Sequence, residues 1–415
     1  MEYQPDARRG QHEPQHHFGP PNISPAAVSD TPRPTRRSAL PPSISPGISR
    51  GHLRRFDIPD EEGKSSVFPE QVPPAGDPQP QYTRDCVKRF QDWRSEKGNL
   101  ASRGGREGGL DIEISLLGFL SFKKALHIDD DHETARFPKY SYDSFTSVLT
   151  IQCMPSVIHE QVVSTISEGL TLARSHLPTY LQQRIDIVGN QNFTNFHGAY
   201  HGSEKTPDTA LKIEDSSGNL ALRFILEVGL AETYEKLVRD ASLWLDGTET
   251  VSAVMLVKLV EDPGYQCPTQ LLSDQEFAQQ GFLRPQELNL STFALHGSYG
   301  PAVYKGFTWV GSVSGFIEIW KRDRVSGLAS RTRGPLNLLS MADSTAIDFW
   351  MSDFIDIPPE DDQPILCKWG NFLNNLGRYI RELAADRCRR ALIDREGRMN
   401  ILDRDYQPSH SVDSP

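Results

Sequence analysis

From residue 141 onward, apolar and polar positions fall into blocks that change period at prolines and glycines. Tyr142 to Met154 contains SVLTIQCM, a strand-like run stopped by Pro155. Ser156 is placed to cap a helix in which Val162, Ile166, Leu170, Ala173 and Leu177 recur at steps of three and four until Pro178. RIDIVGNQNF (184–193) and DTALKI (208–213) read as strands, and after the turn at Gly218-Asn219 the run Leu220 to Val228 reads as a third. Thr233 caps a second helix with Leu237, Val238, Ala241, Trp244 and Leu245 on one side, closing at Asp246-Gly247. SAVMLVKLV (252–260) is a further apolar strand, ending at Glu261-Asp262-Pro263.

The order is therefore helix, strand, strand, strand, helix, strand. Short links between the first three strands predict hairpins, and the strand-helix-strand step predicts a right-handed crossover with its two strands parallel. The fold class expected is α/β, in the form of an α+β mixed sheet flanked by helices. Beyond Pro263, glycine-punctuated aromatic segments (AVYKGFTWVGSVSGFIEIWKRD) predict an antiparallel extension of the sheet, in which the alternation around Glu318 turns that residue to water. Residues 325–340 read as a loop. Trp369 to Ile393 reads as a long helix with Phe372, Leu376, Ile380 and Leu383 on one stripe. Its arginines, Arg378, Arg381, Arg387, Arg389 and Arg390, form a face that could meet phosphate, although a solvated face is the commoner meaning.

Composition changes the picture mainly at the ends. Many of the 30 prolines precede residue 80, where apolar periodicity is almost absent, so 1–80 is expected to be a disordered Pro/Ser-rich arm, open to a protein partner. Residues 81–140 follow as a partly ordered extension containing the linker RGGREGG and the segment LDIEISLLGFLSF, a strand or a short buried helix. The main domain is 141–325, then a loop and C-terminal helix over 326–395, and a disordered tail over 396–415. The net charge of -11 argues against a surface that grips nucleic acid everywhere, but leaves room for a local basic groove. With no signal-like hydrophobic core at the start and no run of eighteen apolar residues, an intracellular protein, cytoplasmic or nuclear, off the membrane, is expected. The basic clusters at 33–37 and 50–55 read as a nuclear address or as a solvated charged tail. Five scattered cysteines without a CxxC spacing suggest neither a zinc site nor a disulfide framework. The sequons at Asn22, Asn192 and Asn289 read as chance matches without an export signal, and no feature speaks to oligomeric state.

The chemistry gathers at an acid in an apolar run, Glu227 in FILEVGL. Burying an ionised carboxylate is costly unless something pairs with it, so Glu227 lies at an exposed strand end or meets a cation. Asp208 opens the preceding strand; in an antiparallel hairpin the two acids become neighbours and can share Mg²⁺ or Mn²⁺, which take oxygen ligands and activate water. The chain has no G-x-S-x-G elbow, GxxxxGK[ST] loop or H-E-x-x-H, which argues against those enzyme classes.

Pro207-Asp208 opening one strand, Glu227-Val228-Gly229 ending the next, and the helix-strand order around them resemble the PD-(D/E)XK restriction-endonuclease-like superfamily. KTPDTAL, FILEVGLAETYEKLVRDASLWL, VMLVKL and GFTWVGSVSGFIEIWKRD also resemble uncharacterised fungal proteins assigned to that fold, over residues 140–325. The resemblance implies a metal-dependent nuclease-like protein hydrolysing phosphodiester bonds of nucleic acid, with the cation on Asp208 and Glu227 and the Val228 carbonyl a further ligand. The alternative is a non-catalytic binding or interaction module that keeps the fold. The family's lysine position is occupied here by Gly229. Lys258 and Lys236 are the substitutes, each weighed against an ordinary surface ammonium. Glu160, after His159 in the first turn of the earlier helix, can add an acid to the site or simply suit the helix dipole. Lys205 is a turn residue that could touch phosphate, while His197 and His201, separated by a glycine-containing stretch, are not expected to share a metal.

Overall fold

The computed structural model describes residues 80–97, 109–128, 138–152, 155–189, 191–215, 217–343 and 349–395. The arm up to 79, the tail from 396, both basic clusters and Cys153 lie outside the described residues.

The first elements are α1 (Pro80–Lys97), β1 (Leu110–Glu113), α2 (Leu116–Ala125), β2 (Tyr140–Asp143) and β3 (Val148–Ile151). LDIEISLLGFLSF holds apolar residues on both parities because it contains two elements. The strand β1 gives way to α2 at Ser115, whose hydroxyl caps the helix by accepting the Gly118 N–H. The three strands form an antiparallel sheet in the order β1-β3-β2. Phe90, Ile112, Phe119, Phe122, Tyr142 and Leu149 are the core of this layer, with the Phe119 and Tyr142 rings stacked at 4.2 Å. Tyr142 and Glu204 exchange backbone hydrogen bonds of 2.7 and 2.9 Å, which seams this layer to the segment leading into the main sheet.

Then come α3 (Val157–Ser175), α4 (Thr179–Gln182), β4 (Ile185–Val188), β5 (Thr209–Glu214), β6 (Leu220–Gly229), α5 (Tyr234–Asp246) and β7 (Ala253–Asp262). The expected caps are present: Ser156 accepts the His159 N–H, and Thr233 accepts the Lys236 N–H. Both hairpins are antiparallel, and α5 carries the chain across so that β6 and β7 pair in parallel. Side-chain parity sorts β6 between two layers. Phe224, Leu226 and Val228 face α3, whereas Ile225 faces Leu237, Ala241 and Trp244 of α5.

Beyond these lie α6 (Asp274–Gln280), β8 (Ala294–Leu295), β9 (Ala302–Tyr304), β10 (Phe307–Val310), β11 (Ser312–Arg322), β12 (Ala329–Asn337), β13 (Phe349–Trp350), β14 (Pro364–Ile365) and α7 (Trp369–Arg395). Strand β11 extends the main sheet antiparallel to β7, giving a six-stranded mixed sheet in the order β12-β11-β7-β6-β5-β4. The fold is thus mixed α and β, with α3 and α7 over one face of the sheet and α5 over the other.

Three expectations are corrected. The loop expected over 325–340 is largely the edge strand β12; ASRTRGPLN lacks an apolar alternation because little covers it, and its pairing comes from β11. Glu318 does not face water: it is 1% exposed, because α5 packs over that face of β11. It accepts hydrogen bonds from Tyr234 Oη at 2.9 Å, Trp320 Nε1 at 3.0 Å and Arg331 Nη1 at 2.7 Å. The arginines of α7 do not share one solvated face, because Arg387 is buried, while Arg378 is exposed. Buried Arg387 grips Glu261, Arg389 donates to the carbonyls of Pro285 and Leu288, and Arg390 pairs with Asp386. Among the described residues, no helix is long and apolar enough to cross a membrane.

Candidate functional site

The pairing Thr209↔Leu226 puts the start of β5 against the end of β6. Asp208 donates its N–H to the Leu226 carbonyl at 3.2 Å, and its Oδ2 accepts the Val228 N–H at 2.8 Å. Val228 therefore meets Asp208 through its amide. The other partners of this carboxylate come from outside the sheet. Lys139, just before β2, reaches Oδ1 at 2.8 Å, and His159 of α3 places Nε2 at 3.2 Å from Oδ2. Burial by itself would raise the Asp208 pKa, but His159 and Lys139 outweigh it and hold the carboxyl well below the usual range. Burial alone would likewise depress His159; its bonds to Asp208 and Glu160 push it up to about 9. Glu160 is lowered by the same imidazole, whose Nδ1 is 3.3 Å away, so its first contact is with His159.

Glu227 faces the other layer. It is 3% exposed, and its Oε1 accepts the indole N–H of Trp244 on α5 at 2.6 Å. The Lys205 ammonium, 1% exposed, lies 3.6 Å from that oxygen and 2.9 Å from Asp240 Oδ1. The indole donor and the nearby ammonium charge explain how an acid sits in an apolar run. The balance is incomplete, however: burial pushes the Glu227 pKa up, Lys205 opposes it, and the negative charges of Asp240 and Asp208 add to the rise. Glu232, just before α5, is raised by burial and by Asp240. Glu227 and Glu232 are thus acids whose burial is not offset by the counter-charges beside them.

The two proposed lysine substitutes fare differently. Gly229 pairs with Lys258 across the parallel β6–β7 seam, so Lys258 stands level with the glycine on the same face. Its ammonium donates to the carbonyls of Leu230 at 2.9 Å and Glu232 at 2.6 Å, and burial depresses its pKa. Lys236 instead bonds Asp111 at 2.6 Å and ties α5 to β1. The reason for glycine at 229 is steric. A Cβ there would lie 2.9 Å from Cδ1 of buried Leu237, so any side chain at that position requires Leu237 to shift.

Sequence reasoning missed Lys139, His159, Trp244 and Asp240 as partners and took Lys205 for a turn residue. For His159 a signal existed: with Ile158, Val162 and Ile166 buried, the helical period turns residue 159 inward and Glu160 outward. For Lys139, 69 positions from Asp208, no local signal exists. Lys205 is carried inward by a β-bridge to Phe193.

Asp208 and Glu227 are thus neighbours on adjacent strands whose carboxylates have separate partner sets, one from α3 and Lys139, the other from α5 and Lys205. Among the described residues, no three His, Cys, Asp or Glu side chains converge on a single metal position. The donor chemistry is of the kind that a hard divalent cation takes, since the groups at this sheet end are carboxylate oxygens. No protein-family model, curated protein or solved structure matches the chain.

Proposed function

We propose that α3-β4-β5-β6-α5-β7 is a restriction-endonuclease-like core of the PD-(D/E)XK type, and that the chain hydrolyses phosphodiester bonds of nucleic acid with Mg²⁺ or Mn²⁺ held by Asp208 and Glu227. One observation carries the reading: the β5–β6–β7 register brings Asp208, the Glu227 end of β6 and Lys258 to one end of the sheet, with Lys258 level with Gly229. A bound ion would supply Lewis acidity and a water of lowered pKa. The chain's own groups do the rest. Lys139 and His159 keep Asp208 anionic, and Lys258 offers an ammonium at the level where Gly229 has none.

The test is cleavage of single- and double-stranded DNA and RNA with Mn²⁺ or Mg²⁺, alongside melting with and without the ion, for wild type, Asp208→Asn and Glu227→Gln. Cation-dependent cleavage and a rise in Tm, both lost in the variants, are expected. Equal background cleavage in all three would sink the enzymatic reading.

A second reading, a non-catalytic binding module on the same fold, is favoured by one observation: each carboxylate is already bonded to the chain's own N–H and ammonium or imidazole groups. Under it, the ion leaves Tm unchanged while nucleic acid still binds.

A further inference from the structure

Residues 321–333, the end of β11, the turn and the start of β12, read KRDRVSGLASRTR. They hold Lys321, Arg322, Arg324, Arg331 and Arg333 against the single acid Asp323, in a chain of net charge -11. The hairpin is built rigidly. Arg322 donates to the carbonyls of Leu245 and Thr248, and the Ala329 N–H donates to Asp246 Oδ1 at 2.6 Å, which fixes its base to the C-terminal end of α5. The Asp323 carboxylate accepts the N–H groups of Val325 at 3.0 Å and Ser326 at 2.7 Å, and Gly327 takes a φ of 73° to close the turn.

What this frame presents is cationic and apolar together. Val325 is 96% exposed and Leu328 60%, at the tip. Arg324 and Arg333 are exposed, and neither guanidinium meets a carboxylate among the described residues. Arg331 uses Nη1 on Glu318 and remains partly exposed. Among the described residues, strand β12 is the outermost strand of the sheet, so this charge lies along its edge. Pairing of β11 with β7 ends at Trp320, so the turn beyond it projects from the sheet, and its exposed apolar tip with arginines along the adjoining edge strand has the charge to meet a nucleic-acid duplex.

We propose that the β11–β12 hairpin is the surface by which this chain holds double-stranded nucleic acid, with Arg324, Arg331 and Arg333 on phosphates and Val325 and Leu328 in a groove. The choice of polyanion rests on the nuclease-like reading above; the surface itself does not.

The experiment uses the full chain in EDTA, with anisotropy of a short fluorescent DNA duplex titrated at several salt concentrations. Arg324→Ser/Arg333→Ser is expected to weaken binding at least tenfold at low salt. It should also flatten the log-affinity against log-salt slope by about 0.9 per lost phosphate contact. Val325→Ser/Leu328→Ser is expected to weaken binding with the slope unchanged. The proposal is overturned if wild type does not bind the duplex, or if the double arginine variant binds with wild-type affinity and slope. Arginine-dependent binding to anionic phospholipid vesicles but not to the duplex overturns it too. The Mn²⁺-dependent rise in Tm of the wild type reads the Asp208–Glu227 site by itself. Its absence would sink the cation site and leave the hairpin standing, so the two failures are distinguishable.

Discussion

The clearest energetic prediction concerns the link that fastens α7 to the end of β7. Arg387 donates to both oxygens of Glu261, at 2.7 and 2.8 Å, and to the Trp309 carbonyl at 3.0 Å. Its guanidinium carbon lies 4.0 Å from the Tyr265 ring centroid. Both side chains are buried. Arg387→Met keeps most of the volume but removes the charge. Glu261 is then left as a buried carboxylate with the Gly311 N–H at 2.8 Å, and the Trp309 carbonyl loses a donor. Breaking one side of such a pair costs about 3–5 kcal/mol, because the remaining ion stays desolvated. At about 2 °C per kcal/mol for a domain of this size, Tm should fall by roughly 6–10 °C. Urea unfolding followed by tryptophan fluorescence measures the loss, and a cycle with Glu261→Met isolates the coupling. The double variant, having no buried charge, should be more stable than the sum of the two singles predicts, by at least about 1.5 kcal/mol. A single-variant loss below about 1 kcal/mol, or additivity within about 0.5 kcal/mol, would refute the view that this pair acts as a desolvated unit.

Two further predictions concern the site. The folded-state pKa of Glu227, pushed up by burial to about 8, lies above that of the unfolded chain, so the stabilisation from its proton is complete below the ordinary glutamate range and is lost as pH climbs through about 8. Glu227→Gln, which cannot titrate, should therefore gain stability relative to wild type between pH 5 and 8 in metal-free buffer; parallel Tm–pH curves would contradict the assignment. Gly229→Ala should cost about 1–3 kcal/mol through overpacking against Leu237, and Gly229→Lys should lose stability without raising cleavage. A stable Gly229→Lys protein with enhanced cleavage would show that Lys258 is not the residue serving that position.

Much of the core could be read from local pattern. Ser156 and Thr233 announced their helices because a cap hydroxyl works on amides two or three residues away. The strands Thr209–Glu214, Leu220–Gly229 and Ala253–Asp262 were marked by apolar runs between turn residues, and the short links and the intervening helix were enough to predict their directions. The proximity of Asp208 and Glu227 followed from that topology alone. Edge strand β12 was missed for the converse reason: a strand paired on one side and largely open to water carries no apolar signature.

The sequence by itself determined the order of the core elements from Val157 to Asp262, the direction of their strands and which sheet end receives the two acids, since these follow from periodicity and link length. Only the tertiary structure decided what those acids touch. Glu227 meets Trp244 because parity turns it toward α5, and Lys205 and Lys139 arrive from segments with no periodic relation to the strands they serve. The same holds for Glu318, buried under a helix more than 70 residues earlier, and for Gly229, whose missing side chain reflects the closeness of Leu237. Burial is a property of the neighbours that cover a residue, and those neighbours are brought by the fold from distant parts of the chain.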